Sequence, residues 1–243
     1  MIRAPANALA APAPLAKNDP LPFALLALTG VTGLVDAVSF LGLGHVFTAN
    51  MTGNVVFLAF AVAGTPGLSM VRSWTSLVAF LVGAALGGRL GVAMAAASRR
   101  RWLLTVALSE ALLLVTAAIA SIGFDIGSAT PPSRLYTVIV LTALAMGLRN
   151  ATVRRLAVPD LTTTVLTLTL TGLAADSSVV GGDNPRIGRR VASVSLMFAG
   201  AAVGTLLLRR GLALPLVVSA VGVLSATLAY ADIPTPRAPL GER

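Results

Sequence analysis

Gly33-Leu34-Val35-Asp36-Ala37 leads into Thr48-Ala49-Asn50-Met51-Thr52, and 114 residues after its first glycine the chain repeats the theme. There Gly147-Leu148-Arg149-Asn150-Ala151 leads into Thr163-Thr164-Val165-Leu166-Thr167. Each copy begins near the end of an apolar run, crosses a short polar break and starts a second apolar run. A chain of apolar segments that repeats a broken, polar one points to its working centre.

Two further matches follow in the same order. Gly83-Ala84-Ala85-Leu86-Gly87 corresponds to Gly200-Ala201-Ala202-Val203-Gly204 at an offset of 117, and Arg99-Arg100-Arg101 corresponds to Arg209-Arg210. A duplicated four-segment unit is the expectation, with residues 21–123 as the first helical repeat and 135–231 as the second. Residues 1–20 and 232–243, rich in Ala and Pro, are expected to be disordered tails.

The rest of the composition agrees with a membrane chain. Of 243 residues, 56% are hydrophobic and 11% charged, and the mean hydropathy is +0.88. Eight apolar runs alternate with short polar breaks: Leu21–Leu41, Thr48–Gly64, Thr75–Ala97, Trp102–Gly123, Leu135–Val153, Leu161–Ala175, Val191–Leu208 and Leu212–Ala231. Most of them approach the ~20 residues that cross a bilayer as a helix. The expected fold is an all-α polytopic transmembrane bundle of two sequence-related halves, with six to eight full spans. Whether the two short, Thr-rich runs cross decides between parallel and inverted halves. The arginine clusters after the third and seventh runs share one side only with eight spans, so the positive-inside rule favours eight.

The net charge of +9 sits mostly in loop arginines, which that rule explains without nucleic acid. Cysteine is absent, which removes disulfides, thiolate catalysis and thiolate-held metals. His45 is the only histidine, and no H-E-x-x-H, G-x-S-x-G or paired intramembrane Asp motif is present. No enzyme activity, cofactor or metal site is expected.

The segment Gly33 to Leu58, G-L-V-D-A-V-S-F-L-G-L-G-H-V-F-T-A-N-M-T-G-N-V-V-F-L, resembles the YoaK-like family of bacterial membrane proteins. Gly147–Leu156 and Pro159–Thr164 resemble that family's second signature. The resemblance implies a multi-pass protein of the bacterial cytoplasmic membrane and carries over no reaction and no substrate.

Polar residues within or beside the runs form the candidate site. Asp36, Asn50, Thr52, Asn54, Asn150, Thr163, Thr164 and Thr167 are the expected solute contacts: Thr and Asn cap helix starts, whose free N–H groups suit an anionic or hydrogen-bonding solute. Thr162 belongs to the same cluster. Asp36 and His45 are the candidates for proton coupling. Bundle glue is the competing reading for the Thr and Asn residues; for Asp36 it is a structural pair with an arginine such as Arg149, or an interfacial site. Arg89 and Glu110 lie about ten residues on either side of a turn near residue 99, at equal depth of about 15 Å, so a structural ion pair is expected. The leading function is a secondary transporter or permease of a small polar or anionic solute. A scaffold or signalling subunit comes second, an intramembrane enzyme third. The expected partners are the lipid bilayer, that solute and, as an open option, a second copy in a homo-oligomer.

Overall fold

A computed structural model describes residues 19–161, 163–164 and 166–232. Most of the expected tails, and Thr162, therefore lie outside the described residues. Eight α-helices account for most of the rest: α1 Leu21–Ala37, α2 Met51–Val62, α3 Met70–Ala93, α4 Arg99–Ala120, α5 Pro132–Leu156, α6 Thr167–Ala175, α7 Ile187–Leu208 and α8 Ala213–Asp232. A π-helical turn, Val38–Gly42, extends α1. No strand occurs among the described residues beyond an isolated bridge between Asp125 and Thr130. The all-α polytopic expectation holds.

Six helices are long and apolar enough to span: α1 with its π turn, α3, α4, α5, α7 and α8. At 1.5 Å per residue, α2 covers about 18 Å and α6 about 14 Å, well short of the ~30 Å core. The preference for eight spans is corrected to six. The positions of the helix ends give the same answer. Arg99 at the start of α4 bonds Asp19, just before α1, and Tyr230, near the end of α8. Arg155, at the end of α5, lies over Trp102 near the start of α4 and touches the Gly91 position near the end of α3. One face of the bundle thus gathers the starts of α1 and α4 and the ends of α3, α5 and α8. At the opposite face, Gly42 meets Leu208 and Leu212, and Gly44 meets Arg72. So α1 and α3 run in opposite directions, as do α1 and α5. Eight alternating spans would have made them parallel.

The small residues set the packing. Helix α1 lies along α7, and α3 along α5. A Cβ on Gly33 would collide with Met197 O and Ala201 N, and one on Gly147 with Phe80 O and Ala84 N. A Cβ on Gly83 would collide with Leu144 O, and one on Gly200 with Gly30 O. At Gly87 it would sit 2.9 Å from Leu148 O and 3.0 Å from Ala151 Cβ; at Gly204, 2.9 Å from Leu34 O and 3.0 Å from Ala37 Cβ. These contacts correspond through the two sequence offsets, 114 for α1 and α5 and 117 for α3 and α7. Backbones meet without side chains between them, the geometry that small-xxx-small spacing permits in lipid. Val35, Val38, Leu114, Val138, Ile139, Met146 and Leu216 fill the middle of the bundle. Lipid-length faces carry exposed Leu81, Leu112, Phe198 and Val221.

Candidate functional site

The deepest polar group is Arg149, one of the largest fully buried side chains. It projects from α5 into the seam between α1 and α4. Its Nη2 donates to Glu110 Oε1, and both side chains are 2% exposed. Its Nη1 donates to Thr32 Oγ1 at 2.8 Å and to the Leu28 carbonyl at 3.1 Å, while Nε has no partner. Thr32 and Glu110 each lie eleven residues into their helices, about 16 Å from the end they share. A paired, hydrogen-bonded ion pair at that depth is the form in which charge is tolerated inside a span.

Asp36 lies one helical turn beyond Thr32 on α1, so the two share a face, and it lies within the field of Arg149. Its Oδ1 is buried and has no hydrogen-bond partner. Two carboxyl groups, Asp36 and Glu110, therefore face one guanidinium. A narrow cavity of about 30 Å³, room for about one water, reaches the pair; Leu21, Leu103, Leu156 and Tyr230 line it toward the arginine-rich face.

The expected pair of Arg89 with Glu110 is corrected: Glu110 pairs with Arg149, and Arg89 is exposed. Equal depth on two arms of a hairpin produces a pair only if the arms pack together. Here α3 packs on α5, and α4 packs on α5 and α8, so Arg89 and Glu110 face different neighbours. Arg149 was expected only as a structural partner for Asp36, not as the partner of Glu110. Its signal was in plain view, an arginine inside an apolar run.

The break residues divide into separate groups. In the first break, Leu43, Val46, Thr48 and Ala49 are buried. Asn54 grips this loop: Oδ1 accepts from Phe47 N at 2.9 Å, and Nδ2 donates to Phe47 O, which also accepts from Ser76 Oγ at 2.6 Å. Asn50 is the N-cap of α2, accepting from Gly53 N at 3.3 Å. Thr52 is exposed. His45 is exposed, adopts φ +59° and meets the Phe40 ring edge-on. In the second break, Asn150 donates to Met146 O and accepts from Thr164 Oγ1 at 2.7 Å. Thr163 is buried and Thr167 exposed. The hydroxyls of Thr48 and Thr163 are both buried without a partner.

The expected solute contacts Asp36, Asn50, Asn150 and Thr163 do not share one cavity. Asn150 and Thr164 instead line an open groove of about 810 Å³ beside α3, and Asp36, Asn50 and Thr163 line neither it nor the cavity at Arg149. The second break is held by charge. Asp160 accepts from Arg186 Nε at 2.6 Å and Arg190 Nε at 3.1 Å, and Arg190 also reaches Asp176 and the Gly172 carbonyl. Burial pushes the Asp160 carboxyl up, but hydrogen bonds and charge from the two arginines outweigh it and hold it below the usual carboxylate range. Among the described residues, no cluster of His, Asp and Glu could hold a metal.

A family model described as a protein of unknown function (DUF1275) matches residues 24–229, from early α1 to late α8. The chain belongs to this DUF1275 family. It is 34% identical over 157 residues to the UPF0700 transmembrane protein YoaK of Bacillus subtilis, an alignment covering 63% of this chain and 65% of that protein's length. The YoaK-like resemblance is thereby established, and with it a multi-pass membrane protein. No solved structure matches.

Proposed function

We propose that this DUF1275 member is a non-catalytic secondary transporter or permease for a small polar or anionic solute in the bacterial cytoplasmic membrane. The observation that carries the reading is the buried Arg149–Glu110 pair at mid-span, reached by a cavity from one face. Charge so deep in a bundle is costly, and function is its usual reason. The halves act as two copies of a duplicated, inverted unit, an arrangement that suits rocking about a central site. Arg149 supplies the anion-binding fork, and its free Nε is the donor left for solute. Two carboxyls against one guanidinium need a proton or a small cation to balance, and Asp36, the carboxyl without a partner, takes it. His45, outside the core, has no part in this step. The arginine-rich face, with Arg99–Arg101, Arg154, Arg155, Arg186 and Arg189, is cytoplasmic.

The test has two stages. Metabolite and growth profiling of a deletion strain names the solute class, and uptake of that solute is then measured in proteoliposomes. Asp36→Asn should abolish uptake driven by a proton or cation gradient while leaving solute exchange at equilibrium intact. Gradient-driven uptake by Asp36→Asn at the wild-type rate would remove Asp36 from coupling. A deletion strain indistinguishable from its parent in solute content, together with unaltered abundance of other membrane complexes, would remove transport.

A further inference from the structure

The arginine-rich face holds a second feature that transport at Arg149 leaves unused. A bowl of about 670 Å³ opens there, with Gly91 and Met94 of α3, Trp102 of α4, Pro159 of the second break, and Arg99, Arg155, Arg186 and Arg189 among its lining residues. Its volume falls in the ~300–1,000 Å³ range of small-molecule sites. Two of its four arginines are already engaged: Arg99 with Asp19 at 2.6 Å and Arg186 with Asp160 at 2.6 Å. Arg155 and Arg189 have no carboxylate partner among the described residues. Gly91 makes the space for Arg155, whose Nη1 lies 3.0 Å from where a Cβ would be.

A second observation is independent of charge. Trp102 is 8% exposed, and its indole Nε1 is buried with no acceptor. An indole N–H can only donate, and a buried donor left unmade is expensive. Orientation in the membrane requires only that arginines crowd one face. It requires neither a concave wall nor two uncompensated guanidinium groups on it. Every one of these groups is a donor, so the missing partner is an acceptor with several oxygens and negative charge.

We propose that this bowl binds a phosphate-type oxyanion, with Arg155 and Arg189 as its charged forks and Trp102 in its wall. Planar guanidinium groups match phosphate oxygens in pairs. At the end of the bundle such a group can come from a free phosphate or phosphomonoester, or from the headgroup of an anionic lipid.

The experiment uses the full chain carrying Trp74→Phe, which leaves Trp102 as its one indole. The protein, in phosphatidylcholine nanodiscs at fixed ionic strength, is titrated with inorganic phosphate against chloride. Trp102 emission and thermal stability are both followed. A parallel series replaces part of the phosphatidylcholine with phosphatidylglycerol. A saturable response to phosphate assigns a free oxyanion; a response to phosphatidylglycerol alone assigns a lipid headgroup. Either supports the site. Arg155→Gln and Arg189→Gln should each weaken the response about tenfold or more, the scale of one charge-assisted hydrogen bond, while Arg209→Gln at the opposite face leaves it unchanged. Because Arg155 also packs on Trp102, Arg189→Gln decides if Arg155→Gln elutes as aggregate. Absence of a saturable response in both series, or an undiminished one in Arg189→Gln, overturns the proposal. Neither result depends on whether the protein transports anything.

Discussion

Asn50 and Asn54 stand one helical turn apart, and the structure gives them unlike work. Asn50 satisfies one N–H at the start of α2, whereas Asn54 satisfies both the N–H and the carbonyl of Phe47 inside a buried loop. Asn50→Ala should therefore cost about 1 kcal/mol, the usual worth of an N-cap. Asn54→Ala should cost about 2–3 kcal/mol, because it strands a buried backbone donor; thermal melts of the purified variants would show the order. Sequence spacing could place both at a helix start, but it could not say which one turned back into the loop. Arg149 was legible only as a structural partner for Asp36, and its bond to Glu110 was not, for a related reason. Its neighbour Asn150 matched Asp36 across the repeat, while Arg149 matched the apolar Val35, so comparison of the halves drew attention away from the residue that breaks their symmetry. At Asp160 the sign of a pH effect follows from its lowered pKa. A carboxyl held lower in the fold than in the unfolded chain stabilises fully above the unfolded value near 3.9 and loses that contribution as pH falls through the folded value. The stability advantage of the wild type over Asp160→Asn, about 2 kcal/mol at neutral pH, should shrink once the pH drops below about 4. An advantage that held constant to pH 3 would mean that the ionised carboxylate is not what matters there.

The six long helices were legible as elements because apolar runs near 20 residues have few alternatives in a chain this hydrophobic. Their boundaries were less so: the run read as Thr75–Ala97 is α3 Met70–Ala93, and the run read as Leu135–Val153 is α5 Pro132–Leu156. Pairing was legible only in part. The G-x-x-x-G spacings marked the faces that meet: Gly83 on α5, Gly200 on α1. The adjacency of α3 and α4 in sequence was misleading, since a five-residue connection from residue 94 to 98 joins helices that pack on others. The equivalence of the two seams has a measurable consequence. Gly83→Ala and Gly200→Ala each force a methyl into a facing carbonyl and should destabilise by about 1–3 kcal/mol each. Gly88→Ala, one residue beyond Gly87 on the same helix, meets nothing within 4 Å and should be neutral or slightly stabilising through helix propensity. Comparable losses at Gly83 and Gly200, measured as unfolding midpoints in one detergent, would show that the two seams bear equal weight. A loss at Gly88 as large as theirs would show that added bulk anywhere on α3 is harmful and that the seam has no special standing.

At the scale of the whole molecule, the number of spans turns on two segments of 12 and 9 residues. Both lie in apolar runs that are short and rich in Thr, so a hydropathy scan could already count only six spans. What separates them is length, set by Asn50 at one start and by the Asp160 network beside the other. Once α2 and α6 return to the face from which they came, residues 21–123 and 135–231 hold three long helices each, and α1 and α5 run in opposite directions. The charge pattern then improves. With eight spans, Arg186, Arg189 and Arg190 would oppose the Arg99–Arg101 cluster; with six they join it, and Arg209 and Arg210 move to the other face beside Arg72 and Arg134. The positive-inside rule was applied to the right residues with the wrong number of crossings. Reporter fusions separate the two arrangements at a single comparison. Fusions within 94–98 and after Arg210 should report opposite sides of the membrane in the six-span protein, and the same side in an eight-span one. A fusion within 63–69 should agree with the one after Arg210. The orientation itself has a charge test: Arg99–Arg101 changed together to Gln should yield a mixed-topology population, because that cluster precedes a span and lies within the short range over which such charges act. Changing Arg209 and Arg210 to Gln should leave topology as it was, since those residues already stand against the rule. If the second change disturbed topology and the first did not, the arginine-rich face would be the outer one, and the cavity that reaches Arg149 would lie toward the exterior.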